Sequence, residues 1–422
     1  MSVGSKRVTS VLSVVTVAWL VAVVLSATSV QVPRPLTQSG MRGDDSVARS
    51  VVQTMLRRTV ALEVGQAPGT ASGAVPLVDS VYKNVQVLKG IPVDDFLGTM
   101  GIMAASLGFC CSDCHTGAGT DSVKWEADTN PNKVTARRMV TMVTTINRDN
   151  FQGRQVVTCW TCHRGRDFPL VTPGIDDVYG LQNLKFDDVQ RTNQFGPNAN
   201  QIIDKYLVAI GGAQRWAAVT SWTAKAKGSG FGGLGGSALV DVFAKGPDQR
   251  ATYIHFPQAD RGDSVRTYNG SVAWLATPRA ALRKYQVFGG ELDGARLDAL
   301  MSFPAQLKQA LTNLRAVANT SIDDHVMDVV QGTGARGLIA TLYFDQKSGL
   351  LTRVVRLVNS PIGRVPTQID YADYRDVNGL KVPFNWTFSW LDGQDSFELT
   401  DFQVNVAIDS AKFGEPNPLP GK

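Results

Sequence analysis

The chain has 422 residues, 43% of them hydrophobic and 19% charged, enough apolar material for more than one packed core and too much for a largely disordered chain. With 42 basic residues against 37 acidic, the net charge is +5. That is too dilute to gather nucleic acid, and no local basic patch makes up the difference. No G-x-S-x-G element, H-E-x-x-H pair or paired-carboxylate constellation points to hydrolysis.

Lys6 and Arg7 precede an apolar run from Val8 to Leu25, and small residues Ser26, Ala27, Thr28 and Ser29 follow, which is the order of an export signal. The run is longer than a usual signal core of about 7 to 15 residues and a little shorter than the roughly 20 that span a bilayer. Residues 1–30 therefore read either as a cleaved signal peptide or as a membrane anchor. The protein is expected to be exported and periplasmic, with residues 8–25 as the hold on the cytoplasmic membrane if they are retained. No cysteine follows the run, which excludes a bacterial lipoprotein anchor. Residues 31–80, punctuated by Pro33, Pro35, Gly65, Pro68, Gly69, Gly73 and Pro76, read as a tether with one short helix at Ser46 to Leu62.

Five cysteines stand at 110, 111, 114, 159 and 162 and nowhere else, whereas a disulfide framework would spread them through the exported domains. Four of them form Cys111-Ser112-Asp113-Cys114-His115 and Cys159-Trp160-Thr161-Cys162-His163, two complete copies of the C-x-x-C-H haem attachment motif. The chemistry needs this spacing. Two thiols about one helical turn apart add to the two vinyl groups of one haem, and the next residue sets its imidazole beneath the iron. The expected cofactor is thus two covalently bound haem c groups, on Cys111 and Cys114 with His115, and on Cys159 and Cys162 with His163. A zinc site or a thioredoxin-like pair could use C-x-x-C, but neither needs a histidine directly after it. Cys110 is left over and reads as a small buried residue beside the first haem.

Upstream of each motif lies a helix-compatible segment with methionines three apart on one face: Met100 and Met103 in Phe96 to Leu107, and Met139 and Met142 in Lys133 to Ile146. Only four histidines exist, and the two outside the motifs, His255 and His325, lie far along the chain. A methionine is therefore the expected sixth ligand, and methionine with histidine raises the iron potential, as suits an electron carrier.

The segment VYKNVQVLKGIPVDDFLGTM, then SLGFCCSDCH, then KVTARRMVTMVTTIN leading to VVTCWTCHRG, resembles the cytochrome c subunit of photosynthetic reaction centres over roughly Val81 to Pro169. The resemblance implies that the first methionine of each pair, Met100 and Met139, is the iron ligand, with Met103 and Met142 as packing residues. It also implies electron donor and acceptor proteins as partners, among them a membrane-bound reaction centre or respiratory complex. The chain departs from the family pattern in carrying two motifs where the family has four. Its loop Arg148 to Val157 also lacks the histidine that the family lends to a further haem. Charges differ around the motifs: Asp113, Asp121, Glu126 and Asp128 near the first, Arg137, Arg138, Arg154, Arg164 and Arg166 near the second. They predict an acidic and a basic edge.

After a linker at 173–197 the pattern changes. A helix with Ile202, Ile203, Tyr206, Leu207 and Ile210 ends at Gly211-Gly212, and alternating segments bounded by turn residues follow. Strands are expected at SWTAKAKGS, SALVDVFAKG, ATYIHF, VRTYNGSVAWLAT, LIATLYFD, LLTRVVRLVN, TQIDYADYRDV, KVPFNWTFSW and SFELTDFQVNV, with one helix from Leu297 to Leu314. Hairpin turns are expected at Asp345 to Gly349, Val377-Asn378-Gly379 and Asp392-Gly393. Residues 198–415 resemble, less specifically, the LolA/LolB-like lipoprotein-carrier fold, through IIDKYLVAIGGAQRW and DYRDVNGLKVPF, and that resemblance implies lipid as an alternative occupant of this domain. The glycine run Gly228 to Gly233 matches G-x-G-x-x-G but leads into a strand, not into a phosphate-binding helix.

The expected architecture is multidomain α + β: a mainly helical dihaem cytochrome c domain at 81–172, then an antiparallel β half-barrel-like domain with helices at 198–415 and a tail at 416–422. The expected function is single-electron transfer, with no substrate transformed. A dihaem peroxidase or redox or gas sensor with an open iron, and a lipid-binding periplasmic protein, are the alternatives.

Overall fold

The computed structural model describes residues 75–120, 122–169, 171–172, 192–193, 196–230, 237–257, 262–278 and 282–417. The apolar run 8–25, the helix expected at Ser46 to Leu62 and nearly all of the linker 173–197 lie outside the described residues. Among those described, no helix is long and apolar enough to cross a membrane.

The first described part is helical. After a single turn, α1 (Val78–Val81), the helix α2 (Val93–Leu107) carries Asp94 and Asp95 in its first turn, where carboxylates meet the positive end of the helix dipole. It stops at Gly108, whose φ of 68° is a left-handed cap. Helix α3 (Pro131–Phe151) begins with the Asn130 side chain accepting from the Asn132 amide and Pro131 in its first position, and it ends at left-handed Gln152. A one-turn helix, α4 (Cys159–His163), is closed by Thr158 and Thr161 bonding reciprocally. The two long expected helices are thus present, each extended by its caps.

Helices α5 (Ala199–Ala209) and α6 (Ala213–Ala217) lead into the strands. In chain order these are β1 (Ser221–Ser229), β2 (Ser237–Lys245), β3 (Gln249–His255), β4 (Ser264–Tyr268), β5 (Ala273–Ala276) and β6 (Lys284–Val287). Helices α7 (Gly289–Met301) and α8 (Leu307–Ala310) follow, then β7 (Thr312–Ile322), β8 (His325–Thr333), β9 (Ile339–Asp345), β10 (Leu351–Ser360), β11 (Gly363–Val377), β12 (Leu380–Trp390) and β13 (Gly393–Val404). All thirteen join one antiparallel sheet in the order β6-β5-β4-β3-β2-β1-β13-β12-β11-β10-β9-β8-β7. Two meanders are therefore joined by the β1–β13 pair. In β1 the buried Ala224 and Ala226 alternate with exposed Lys225 and Lys227, the signature of a sheet with one face covered.

Four sequence expectations change. VRTYNGSVAWLAT is two strands, because Asn269 Oδ1 accepts from the Ser271 and Val272 amides at 3.0 and 2.8 Å and turns the chain between β4 and β5. The helix expected from Leu297 to Leu314 instead spans Gly289–Met301, and the chain is already strand by Thr312. Gly294 of this helix answers to packing, since a Cβ there would lie 2.8 Å from Arg356 Nη1. Strands β6, β7 and β8 were not expected, since TNLRAVANTSI is too polar to alternate cleanly. The last hairpin turns at Leu391-Asp392, one residue earlier than expected, with Trp390 opposite Gly393.

Residues Ala71–Lys422 form one compact unit. Its main core runs from Ile102 of α2 and Val140 of α3 through Val240, Leu342, Phe344 and Val354 of the sheet. Helix α2 lies on β10 and β11, so close that a Cβ at Gly98 would stand 3.1 Å from Val365 Cγ2. Any division near residue 198 runs through this shared core.

Candidate functional site

The first motif is a tight turn rather than a helix. Cys111–Asp113 form a single 3-10 turn, the His115 amide donates to the Cys111 carbonyl at 2.8 Å, and Asp113 Oδ2 accepts from the Cys110 amide at 2.8 Å. The start of α3 holds this turn, since Asn130 and Asn132 both donate side-chain amides to the Asp113 carbonyl at 2.9 Å. Cys110 differs from expectation: it is exposed, with its sulfur 2.9 Å from Ser112 Oγ. All five thiols are unpaired, and burial raises the pKa of Cys111 and Cys114.

His115 packs edge-on against Trp125, ring centroids 5.0 Å apart, and its buried Nδ1 has no hydrogen-bond partner. Burial first, then the Lys133 ammonium, lowers its pKa, which keeps the imidazole neutral and its lone pair available. Lys133 in turn donates to the Trp125 and Ala127 carbonyls at 2.8 and 2.9 Å, and Asp128 pairs with both Lys133 and Arg137 at 3.2 and 2.9 Å. Arg137 therefore belongs to the first motif, not to the basic edge expected around the second. Its hydrogen bond holds the Asp128 carboxyl well below the usual range.

A cavity of about 1130 Å³ opens here. Met100 and Met103 of α2, Cys111, Cys114 and His115 line one end; the other runs along the sheet past Trp222 and Phe388. The β12–β13 turn closes on α2, where a Cβ at Gly101 would lie 3.5 Å from Leu391 Cβ. Four of the eight expected site residues, Met100, Cys111, Cys114 and His115, thus line one cavity.

The other four stand outside it. In α4 the spacing of Cys159, Cys162 and His163 is one helical turn, and His163 Nδ1 is 3.0 Å from the Arg166 carbonyl. That bond places the ring proton on Nδ1, which donates to the carbonyl, and leaves an unprotonated Nε2 with its lone pair, the usual arrangement of a ligating histidine. The α2 terminus braces this turn through the Gly165 amide, which donates to the Ser106 carbonyl at 2.8 Å. Gln155 donates to the Ser360 carbonyl at 2.5 Å, and Arg164 and Arg166 are exposed. Met139 is half-buried on α3, whereas Met142 is 43% exposed.

Asn147 was not expected among these residues. It follows Val140 and Val143 on the buried stripe of α3, and a polar residue on an apolar stripe is the signal that could have found it. Its Nδ2 donates to the Val157 carbonyl at 2.7 Å, and its Oδ1 accepts from the Val156 and Val157 amides at 3.1 and 2.9 Å, pinning the loop before the second motif. Asn147→Leu leaves these groups unpaired and is expected to lower stability by about 1 to 3 kcal/mol in urea unfolding.

Asp94, also in the cavity wall, has a pKa pushed up to about 6, chiefly by burial. Asp95 and Glu291 nearby add to the rise. A raised carboxyl pKa means that the folded chain holds a proton that the unfolded chain has released between about pH 4 and 6. Stability is thus expected to fall as pH rises through that window, by up to about 3 kcal/mol from this group, and Asp94→Asn to remove the fall.

His255 and His325 are used structurally. His255 sits between Asp263 Oδ2 at 2.8 Å and Asp241 Oδ2 at 3.2 Å, and His325 Nδ1 is 3.0 Å from Asp345 Oδ2. No three His, Cys, Asp or Glu side chains among the described residues converge as a metal ion would require. The residues present suit haem c better: a free thiol pair one turn apart, a neutral imidazole and, at the first motif, a thioether lining the same cavity.

Residues 31–182 match the family model described as photosynthetic reaction centre cytochrome C subunit. The chain is 34% identical over 120 residues to the photosynthetic reaction center cytochrome c subunit of Thermochromatium tepidum, covering 26% of this chain and 28% of that one. It is 30% identical over 164 residues to the same subunit of Rubrivivax gelatinosus, covering 37% and 42%. The chain thus matches less than half the length of these curated relatives. Among solved structures it is similar to a LolA superfamily protein from Nitrosomonas europaea, at TM-score 0.36 and 14% identity over 52% of this chain and 99% of that chain.

Proposed function

We propose that this chain is an exported dihaem cytochrome c that passes single electrons between redox partners and transforms no substrate. Cys111 and Cys114 would carry one haem with His115 and Met100 as axial ligands, and Cys159 and Cys162 the other with His163 and Met139. Haem c supplies one-electron exchange at iron. The protein's part is to fix the ligands and limit water: burial keeps His115 neutral, and the Arg166 carbonyl orients His163. The observation that carries the reading is the first motif, where two thiols, an imidazole and the Met100 thioether line one cavity. The exposed Trp160 and Phe168, 51% and 79% accessible, with Arg164 and Arg166 beside them, offer the second motif as the docking face for a protein partner. A reaction centre or respiratory complex held at the membrane fits that role. Cys111→Ala with Cys114→Ala is expected to leave one covalent haem per chain by intact mass, and the matching pair at 159 and 162 to do the same. Two haems retained in either double variant would end the assignment.

A further inference from the structure

The cavity reaches well beyond the residues of the first motif. Ligand pockets commonly hold about 300 to 1,000 Å³, and this one, about 1130 Å³, extends from Met100 and His115 along the sheet to Arg250 and Arg356. Its far part is built from aromatic walls and a few polar groups with unmet demands. Arg356 Nη1 lies 3.0 Å from Asp298 Oδ2, and Arg250, over the Trp222 ring at 5.5 Å, hydrogen-bonds to Ser302 Oγ at 2.7 Å. Asp298 is the one carboxylate that acts on Arg250, at longer range. Asp298 thus acts on both guanidiniums, and the buried Arg356 Nη1 has no hydrogen-bond partner, a demand that an oxygen acceptor would meet.

The second demand is on α2. Asp94 is 7% exposed; its Oδ2 accepts from the Phe288 amide at 2.8 Å, but its buried Oδ1 has no partner. It stands six residues before Met100, about 9 Å along the helix. The lining thus suits a largely apolar molecule that carries one oxygen that accepts from a guanidinium and bears a hydroxyl that donates to Asp94. An acyl chain with a carboxylate meets the first demand and not the second. A hydroquinone meets both.

We propose that this cavity binds a quinol, seated between Asp94 and the Arg250–Arg356 pair. The inference rests on the dihaem reading above for its redox consequence, though not for binding. Oxidation of the quinol breaks two O–H bonds and yields the quinone. One proton would go to Asp94 Oδ1 and one to water, and the two electrons would pass, one each, to the ferric irons of haems held at Cys111, Cys114 and His115 and at Cys159, Cys162 and His163.

The test uses the haem-loaded protein and a soluble quinone, decylubiquinone, titrated by calorimetry. Saturable binding is expected, weakened about tenfold or more in Arg250→Gln, the loss of one charged hydrogen bond, and restored in part by Arg250→Lys. Decylubiquinol is expected to reduce two irons per molecule in the wild type and to do so at least about tenfold more slowly in Asp94→Asn. Ascorbate reduction and covalent haem content should be unchanged in all three variants. No saturable binding of the quinone overturns the proposal, as does binding of palmitate without the quinone, which would mark an acyl-chain site. Equal reduction of wild type and variants by the quinol overturns it too, since electrons would then enter at an exposed haem edge. If the chain carries no covalent haem, the dihaem reading falls, and the calorimetry alone decides the site.

Discussion

Met100→Ala is expected to remove the methionine signature from one haem of two and to lower the potential of that haem by on the order of 100 mV, with both haems still covalently attached. On the proposed assignment attachment would depend on Cys111 and Cys114, whereas the sixth ligand would set how strongly ferrous iron is favoured, so the two properties separate. Met139→Ala is expected to act in the same way on the other haem. Met103→Ala and Met142→Ala should leave both potentials nearly unchanged. Met103 packs against the main core as well as lining the cavity, so its loss should show in stability, while Met142 is 43% exposed and should show in neither. Redox titration with visible spectroscopy separates these outcomes. A potential that falls in Met103→Ala and not in Met100→Ala would reverse the ligand assignment on α2.

Phe344→Ala is expected to cost about 3 to 5 kcal/mol. Phe344 is 1% exposed and packs on Tyr206 of α5, ring centroids 5.3 Å apart, so its removal opens a cavity between that helix and the sheet. The consequence reaches further than the sheet. Ile102 of α2 and Val140 of α3 belong to the same core as Phe344, and these helices carry the two expected methionine ligands. Thermal loss of strand signal by circular dichroism and loss of methionine ligation are therefore expected to shift downward together. If ligation survived the melting of the sheet, the helical segment would be an independent domain and the shared core of little consequence.

Helices α2 and α3 were legible in local pattern. Their apolar positions lie within one or two turns of each other, and their caps, Asn130 and Gly108, are short-range signals. Most strands of the second part also follow from alternation and turn residues, as at Val377-Asn378-Gly379, where Asn378 and Gly379 both take positive φ. The cavity could not be read in this way. It joins Met100 to Leu391 and Arg356, far along the chain, and no periodicity links them. Asn147, Gln155 and Asp128 likewise act through single hydrogen bonds or ion pairs to backbone or side chains that no spacing singles out. The assignment of Arg137 to the second motif failed for the same reason, since its partner Asp128 lies on the loop before α3.

The most direct test of the dihaem assignment is a visible spectrum, oxidised and reduced, of the protein exported from a host with c-type haem maturation, taken together with a count of covalent haem. Two haems per chain, both low-spin and with the weak methionine-to-iron band in the oxidised form, are the expected result. A high-spin iron in the unmodified protein, or fewer than two covalent haems, would contradict it.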